Sequence, residues 1–286
     1  VKISIIVPSF NQGQYIGRTI ESILNQADPD LELIVMDGGS TDSTLSVLDP
    51  YRDRIQVLVS EPDGGQTDAL RKGYAKATGD FIGWQNSDDV YLPGCFRRFR
   101  DMLRLDLARS EAADVYFGNQ CVIGPEDQVL YGKIFGPFRL SYLLYAGWNI
   151  TNQSSFFSRS CIQKAGGFDL SLHYAMDYDL YVKLGNSGAK FRWDDCYWGG
   201  FRIHNSSKGS TLHETRDREY ARLRRTYIAG YQDTVPWLHQ FRLRRFFERT
   251  RRLIWLAGTG RIIRLFRHKY FPSSKLLGGP LFNYHL

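Results

Sequence analysis

Ser4-Ile-Ile-Val-Pro-Ser-Phe-Asn11, Glu32-Leu-Ile-Val-Met-Asp-Gly-Gly-Ser-Thr-Asp42 and Gly79-Asp-Phe-Ile-Gly-Trp-Gln-Asn-Ser-Asp-Asp89 are three versions of one pattern. Each runs through a short apolar stretch and then breaks into small, polar or acidic residues. Between the first two, Ile16, Ile20, Ile23 and Leu24 recur at helical spacing. Thr41-Asp42 predicts the start of a helix that ends near Pro50, Ile55 to Val59 a third strand, Gly65 to Ala77 a third helix, and Asp80 to Trp84 a fourth strand. Strands alternating with helices over short loops imply parallel strands and right-handed crossovers, hence a doubly wound α/β sheet. Sheets of this kind take ligands at the carboxyl ends of their strands. The polar clusters Pro8–Asn11, Asp37–Ser40, Glu61–Asp63 and Asn86–Asp89 all fall there.

Working outward, the period changes after residue 110. Val115 to Val122 and Gln128 to Ile134 read as strands, Leu140 to Tyr145 as a short helix, Phe156-Phe157 as a strand and Asp177 to Leu184 as a helix. Phe191 to Trp193 and Tyr197 to Ile203 are aromatic and strand-like. From about Thr211 the chain is helical in period and rich in arginine. The 286 residues, 43% of them hydrophobic, are enough for one large α/β domain with appendages or for two modest domains. The expected division is 1–210 as the α/β domain, with a 1–110 nucleotide-binding half and a 111–210 acceptor half, and 211–286 as a basic helical extension. Lys2 leads straight into the first strand, so no secretory leader is expected. The uncharged stretch from Leu140 to Ser158 is too polar, at Asn149, Thr151, Asn152 and Gln153, to cross a membrane. Four scattered cysteines fit a reducing compartment better than a disulfide framework.

Ser87-Asp88-Asp89 follows an apolar strand directly. Adjacent carboxylates at a strand end suit a hard cation such as Mg²⁺ or Mn²⁺, which takes oxygen ligands and keeps substrate phosphates in its shell. The same residues would also serve as an Asx turn before Leu92-Pro93. Asp37 could accept from a base N–H, with Gly38 and Gly39 allowing a ring close to the backbone, or it could simply hold a turn. Glu61-Pro-Asp63-Gly-Gly-Gln66 is denser in acid and glycine than a connection needs, though it could cap the third helix. Asp177 could act as a base or cap its helix. His204 ends an aromatic strand, where a lone histidine commonly makes only a surface hydrogen bond.

Taken together, the three stretches quoted first resemble a family 2 glycosyltransferase. Glu61-Pro-Asp-Gly-Gly-Gln-Thr-Asp-Ala-Leu70 is similar to a bacterial subgroup that builds surface polysaccharides and lipid-linked oligosaccharides. The resemblance covers about residues 1 to 210. It implies the GT-A fold, a mainly parallel doubly wound sheet with a smaller acceptor-side region, and inverting transfer from a nucleoside-diphosphate sugar. It also implies the roles. Pro8, Phe10 and Asp37 line the nucleoside pocket, with Asp37 on the base. Asp63 and Lys72 lie near the base and diphosphate. Asp89 is the main ligand of Mn²⁺ or Mg²⁺, with Asp88 by the ribose or the metal. Met176-Asp-Tyr-Asp-Leu180 resembles the family's acidic pair before a helix, so Asp177 is the catalytic base. Arg202-Ile-His204-Asn-Ser-Ser-Lys208 resembles a segment whose histidine, His204, completes the metal site; Lys208 could meet the diphosphate if that segment folds over the donor. Two positions depart from the pattern: Ser87 replaces the first acid of the metal motif, and Met176 replaces the first acid of the pair.

From Trp237 to the end, 11 Lys and Arg face a single acid, Glu248, whereas the residues before it carry 26 basic and 29 acidic side chains. Phe241-Arg-Leu-Arg-Arg-Phe-Phe-Glu-Arg-Thr-Arg-Arg-Leu-Ile-Trp-Leu256 interleaves arginine with bulky apolar residues. Such a segment, 237–270, is expected to meet an anionic membrane surface, or else to pack on the domain or on another copy. Nucleic acid is not an expected partner. The expectation is therefore a cytoplasmic enzyme, peripheral on the inner face of the cell membrane. It would move a sugar from a nucleotide donor, a UDP-sugar by family frequency, to a glycan or polyprenyl-linked acceptor in lipopolysaccharide or capsule synthesis. A catalytically inactive sugar-nucleotide-binding module is the alternative. A nucleotidyltransferase fits less well, because Ser9-Phe-Asn-Gln-Gly13 has one glycine and no basic residue to hold a triphosphate.

Overall fold

The structure is a computed structural model that describes residues 1–205, 207–228 and 235–262. In chain order its elements are β1 (Ile3–Ser9), α1 (Ile16–Leu24), β2 (Leu31–Asp37), α2 (Thr44–Leu48), β3 (Val57–Ser60), α3 (Gln66–Lys76), β4 (Phe81–Trp84), β5 (Val90–Tyr91), α4 (Cys95–Ala108), β6 (Val115–Ile123), β7 (Val129–Lys133) and α5 (Leu140–Tyr145). There follow β8 (Ser155–Ser158), α6 (Arg159–Lys164), α7 (Met176–Asn186), β9 (Phe191–Arg202), α8 (Lys208–Thr211), α9 (His213–Tyr227) and α10 (Val235–Gly258). Among the described residues one mixed sheet runs β3-β2-β1-β4-β8-β6-β9-β5, with β7 on β6.

The first half is parallel throughout, β2 and β4 both pairing with β1 and β3 with β2. The second half is mixed, because β8 enters antiparallel between β4 and β6. β1 is buried along its whole length, and its side chains alternate between two cores. Ile3, Ile5 and Val7 pack under α1 and α4, while Ile6 faces α3 and the later helices. A strand covered on both faces needs this continuous apolar run rather than an apolar–polar alternation. The parallel order brings the ends of β1, β2, β3 and β4 to one edge, where the polar clusters lie.

Several expectations shift on the structure. The second helix begins at Thr44 rather than Thr41, because Asp42 stays outside it and ties the loop together. Its carboxylate accepts the backbone N–H of Gly13 (2.9 Å) and of Thr44 (2.9 Å). The two expected aromatic strands are one strand, β9, whose register against β6 shifts around Asn119. α4 was not expected: Phe96, Phe99 and Leu103 form its buried face, but arginines interrupt the apolar spacing. The extension expected from 211 does not start as a free tail. α9 buries Leu223 in the main core, and α10 contacts α5 through the Arg139–Glu248 ion pair and an Arg252–Tyr142 hydrogen bond (2.7 Å). No helix among the described residues is long and apolar enough to cross a membrane.

Candidate active site

The strand-end edge is stapled by short side chains. Asp37 is 2% exposed and accepts the Ser40 N–H (2.9 Å), the Ser60 hydroxyl (2.6 Å) and the Ser40 hydroxyl. It thus ties the end of β2 to the end of β3 and to its own turn. That turn needs Gly39 at φ +81°, packed against Pro62. Ser40 in turn accepts the Asn11 N–H (2.7 Å), and Asn11 accepts the Thr41 N–H (2.9 Å). The loop after β1 is therefore locked to the loop after β2, and Phe10 is left standing 59% exposed at the rim. Pro8 is buried within β1 and shapes the strand rather than the cleft surface.

Asp63 lies against Gly38, where an added Cβ would sit a tight 3.1 Å from its carboxylate, and accepts the Gly65 N–H (2.7 Å). Lys72 is not drawn into the cleft. It pairs with Glu61 (2.9 Å) and Asp68 (3.3 Å) on the surface of α3, and these partners raise its pKa.

The two neighbouring carboxylates after β4 point to different places. Asp88 faces outward, half-buried, and its Oδ2 lies 3.0 Å from Nε2 of His204. That ring is itself buried against Tyr15, with centroids 4.6 Å apart. Asp89 faces inward with no exposed surface. Its Oδ1 accepts the Arg202 N–H (2.8 Å), and its Oδ2 accepts amide N–H groups from Asn86 (2.8 Å) and Gln153 (2.7 Å). Burial, then the adjacent Asp88, push its carboxyl above the usual range. Asp89 is therefore caged by amide donors, which differs from the expectation that it is the principal metal ligand; here Asp88 and His204 are the pair that faces the cleft. Among the described residues no three acidic, histidine or cysteine side chains are grouped to hold a metal. Two protein ligands still fit Mg²⁺ or Mn²⁺, since such ions usually take the rest of their shell from substrate phosphates and water.

Arg202 makes this turn rigid. It is fully buried and donates to the carbonyls of Asp88 (2.7 Å), Gly124 (3.0 Å) and Pro125 (3.0 Å), with its guanidinium over the Tyr15 ring at 5.0 Å. Gly199 on β9 allows Gln153 to reach Asp89, because a Cβ there would sit 1.9 Å from the Gln153 carbonyl oxygen.

Lys208 spans the cleft. Its ammonium donates to Gln66 Oε1 (2.7 Å), and Gln66 Nε2 donates to Asn86 Oδ1 (2.7 Å). Desolvation by the surrounding protein lowers its pKa to about 8, outweighing the upward pull of Asp88, Asp177, Glu219 and Asp63, although the side chain keeps an exposed surface. Asp177 stands in the first turn of α7, accepting the Tyr178 N–H (2.8 Å). It keeps an opening to the cleft but is enclosed on most sides, and that burial pushes its carboxyl up to about 6. It does not cap α7, whose cap position is Ala175. Asp179 points away, to Lys183 (2.7 Å) and Tyr227 (2.5 Å).

One site residue had no sequence signal. Glu219 of α9 is 5% exposed and accepts three consecutive N–H groups, from His173 (2.8 Å), Tyr174 (2.9 Å) and Ala175 (2.9 Å). It fixes the loop that delivers Asp177. The polar run at Asn152-Gln153 was visible, and it now explains itself as the support for Asp89. The structure thus gathers Asp63, Asp88, His204, Lys208 and Asp177 around one cleft, with Phe10 and Asp37 at its edge, and leaves Lys72 outside.

The family model of glycosyl transferase family 2 matches residues 4–158. An uncharacterised glycosyltransferase of Rickettsia prowazekii is 32% identical over 64% of this chain and 58% of its own length. Chondroitin synthase of Escherichia coli is 31% identical over 65% of this chain but 27% of its own. The chain thus spans less than two thirds of these relatives. Among solved structures, Staphylococcus aureus TarS 1–349 with UDP-GlcNAc superposes with a TM-score of 0.65 at 19% identity, covering 86% of this chain and 73% of that one. A mannosyltransferase of Pyrobaculum calidifontis in complex with GDP-Man and Mn²⁺ gives 0.58 at 16% identity, over 86% and 69%. These structures share the fold.

Proposed function

The chain belongs to glycosyl transferase family 2, and from that premise we propose that it transfers a sugar, with inversion, from a nucleoside-diphosphate donor to a hydroxyl of a glycan or lipid-linked acceptor. The observation that carries this reading is that Lys208 lies near both Asp177 and Asp88, with Asp88 itself 3.0 Å from His204. In a single displacement the acceptor oxygen attacks the anomeric carbon as the bond from that carbon to the diphosphate breaks. Asp177 takes the hydroxyl proton. Lys208 meets the negative charge that gathers on the departing diphosphate. Asp88 and His204 would hold Mn²⁺ or Mg²⁺, whose chemistry there is to neutralise that same charge. The nucleoside would stack at Phe10 and run along the Asp37–Gly39 turn, its base meeting backbone more readily than an Asp37 carboxylate already holding three donors. One carboxylate on the acceptor side suffices for inversion, and no covalent intermediate is needed. UDP is the donor nucleotide we favour, in keeping with the UDP-GlcNAc bound by the TarS neighbour.

The test is thermal stabilisation by UDP, GDP and dTDP, each with and without Mn²⁺. A nucleotide at a hundred times its dissociation constant adds about 2.7 kcal/mol. Metal-dependent stabilisation by one of them is expected, followed by transfer from the matching sugar nucleotide with inverted configuration by NMR. Stabilisation without transfer to any acceptor would favour a non-catalytic binding module, and no stabilisation would remove the donor site.

Attachment to an anionic bilayer is supported by α10. Its outward side exposes Leu243, Phe246, Phe247, Leu253 and Ile254, with Arg242, Arg249 and Arg251 beside them. Residues 263–270 of the expected membrane segment lie outside the described residues.

A further inference from the structure

Beyond Asp177 lies a cavity of about 300 Å³ between α5, the loop before α7, α9 and α10. One wall is aromatic: Trp148, Tyr174, Tyr178 and Tyr220, with the indole and the Tyr178 ring meeting edge-on at 5.9 Å. The lining also carries Arg216 and Arg224, about one turn either side of Tyr220 on α9, and Arg245 of α10, and no carboxylate. Tyr174 and Tyr178 bracket Asp177 in sequence, and Tyr174 and Tyr220 both lie near enough to feel its charge. The cavity therefore lies next to Asp177, on the side that Tyr174, Tyr178 and Tyr220 occupy.

The chemistry of the lining is one-sided. Arginine donates and never accepts, and tyrosine hydroxyls are the main side-chain acceptors present. A neutral sugar presents hydroxyls that both donate and accept, so a pocket evolved for it alone would carry amides or carboxylates. Arg216 has a partner, Asp217 at 2.9 Å. Among the described residues Arg224 and Arg245 have no carboxylate within ion-pair distance; Arg224 rests on the Phe241 ring at 5.9 Å. Guanidinium forks of this kind match the two oxygens of a carboxylate or phosphate. Flat rings beside them suit the apolar face of a pyranose.

We propose that this cavity is the acceptor subsite and that it takes a saccharide bearing an anionic group, a carboxylate or a phosphate, held by Arg224 and Arg245 while the sugar ring lies on the Trp148–Tyr178 wall. The proposal rests on the transferase reading above. The anion has two chemical sources: a hexuronate within a glycan, or the phosphate that links a glycan to a lipid. Helix α10 favours neither by itself, since it lends Phe241 and Arg245 to the cavity while showing an apolar, arginine-flanked side to the outside.

The experiment is calorimetric titration of the whole chain, with UDP and Mn²⁺ present, by octyl β-glucoside, octyl β-glucuronide and farnesyl diphosphate, all below micelle concentration. At least one anionic probe is expected to bind about tenfold or more tighter than the glucoside, given charge-assisted bonds to two guanidinium groups. Preference for the glucuronide assigns an acidic glycan, and preference for the diphosphate assigns a lipid-linked acceptor. Arg224→Gln with Arg245→Gln should erase the preference, and the double lysine variant, which keeps charge without the fork, should restore part of it. Equal binding of all three probes, no binding of either anion, or a preference surviving in the glutamine variant overturns the proposal. Stabilisation of the same samples by UDP separates the two readings. If it persists while the anion preference is absent, only the subsite is wrong; if it is absent too, the transferase site has failed.

Discussion

The strand-end side of the cleft is made of short polar side chains bonded to one another, whereas the side beyond Asp177 is made of large rings and arginines carried by helices far apart in sequence. On the first side Asp37, Ser40, Ser60 and Asn11 close a network among adjacent loops. On the second, Tyr145, Tyr178, Tyr220 and Phe241 come from four different elements. The difference separates two tasks. A nucleotide diphosphate is a constant shape that a rigid, pre-formed edge can hold. An acceptor varies, and it is met by side chains that can be exchanged without disturbing the sheet.

Asp177 stands on the boundary, and its removal should have the largest effect. Asp177→Asn is expected to lower kcat by about a thousandfold, within the usual range for loss of a general base. Donor affinity, measured by titration, should hold. The acid limb of the rate profile follows from the same carboxyl. Its pKa is raised to about 6 in the ligand-free protein and the base must be ionised, so kcat/KM should be level above that pH and fall about tenfold per unit below it. A flat profile down to about pH 5 would take the proton-accepting role from Asp177.

The next test lies within the strand-end side and compares two adjacent carboxylates. Asp88→Asn should abolish the Mn²⁺-dependent part of nucleotide stabilisation and leave the melting temperature of the free protein unchanged. Asp89→Asn should do the reverse. Its new amide would place an N–H against the N–H groups of Asn86, Gln153 or Arg202, at a cost of about 1–3 kcal/mol for unsatisfied buried donors. If Asp89→Asn instead removes the metal dependence at unchanged stability, Asp89 is the ligand and the caged geometry changes on donor binding.

The contrast between the two sides also explains what the sequence could convey. β1, β2, β4 and their polar ends were legible because each is local: an apolar run that breaks into Ser9-Phe-Asn11, Asp37-Gly-Gly or Ser87-Asp-Asp89. Asp88 and Asp89 could be placed at the edge but not told apart, since which one turns inward depends on Gln153 and Arg202, more than sixty residues away. Lys72 read as a cleft residue from the family resemblance, yet Glu61 and Asp68, eleven and four residues away, claim it first. α4 was hidden because its arginines fall between Phe96, Phe99 and Leu103 and break the apolar count. Glu219 was invisible for a different reason. Its partners are backbone N–H groups, which leave no trace in the identity of the residues that carry them.

Glu219 gives the third test, of intermediate size. Glu219→Gln keeps the shape but removes the charge that holds three N–H donors. A loss of about 1–2 kcal/mol in stability is expected, with kcat reduced roughly tenfold through a displaced Asp177. Donor affinity should change much less, because Glu219 reaches the donor side only through Lys208 and the His173 carbonyl beside it. An equal loss in donor affinity and kcat would mean that the two sides are coupled through Lys208 rather than independent.

The smallest effect concerns the outer face of α10, which belongs to neither side. Leu243, Phe246, Phe247, Leu253 and Ile254 are each more than half exposed, and their spacing puts them on one helical face. The helix's one acid, Glu248, is turned inward to Arg139, so the exposed face carries arginine without a balancing charge. Replacing Phe246 and Phe247 by serine should weaken binding to vesicles containing anionic lipid roughly tenfold. Replacing Arg249 and Arg251 by glutamine should weaken it by a roughly similar factor, and only at low salt. Neither pair should alter melting temperature, since these side chains touch little of the fold. The inner face of the same helix supplies Phe241 and Arg245 to the acceptor cavity. Membrane attachment would therefore set where the cavity sits relative to a lipid-linked acceptor, and transfer to such an acceptor in vesicles should fall with the phenylalanine variant while transfer to a water-soluble one does not. If vesicle binding is unaffected and a concentration-dependent dimer is lost instead, the face joins two copies of the chain and the acceptor reaches the cavity from solution.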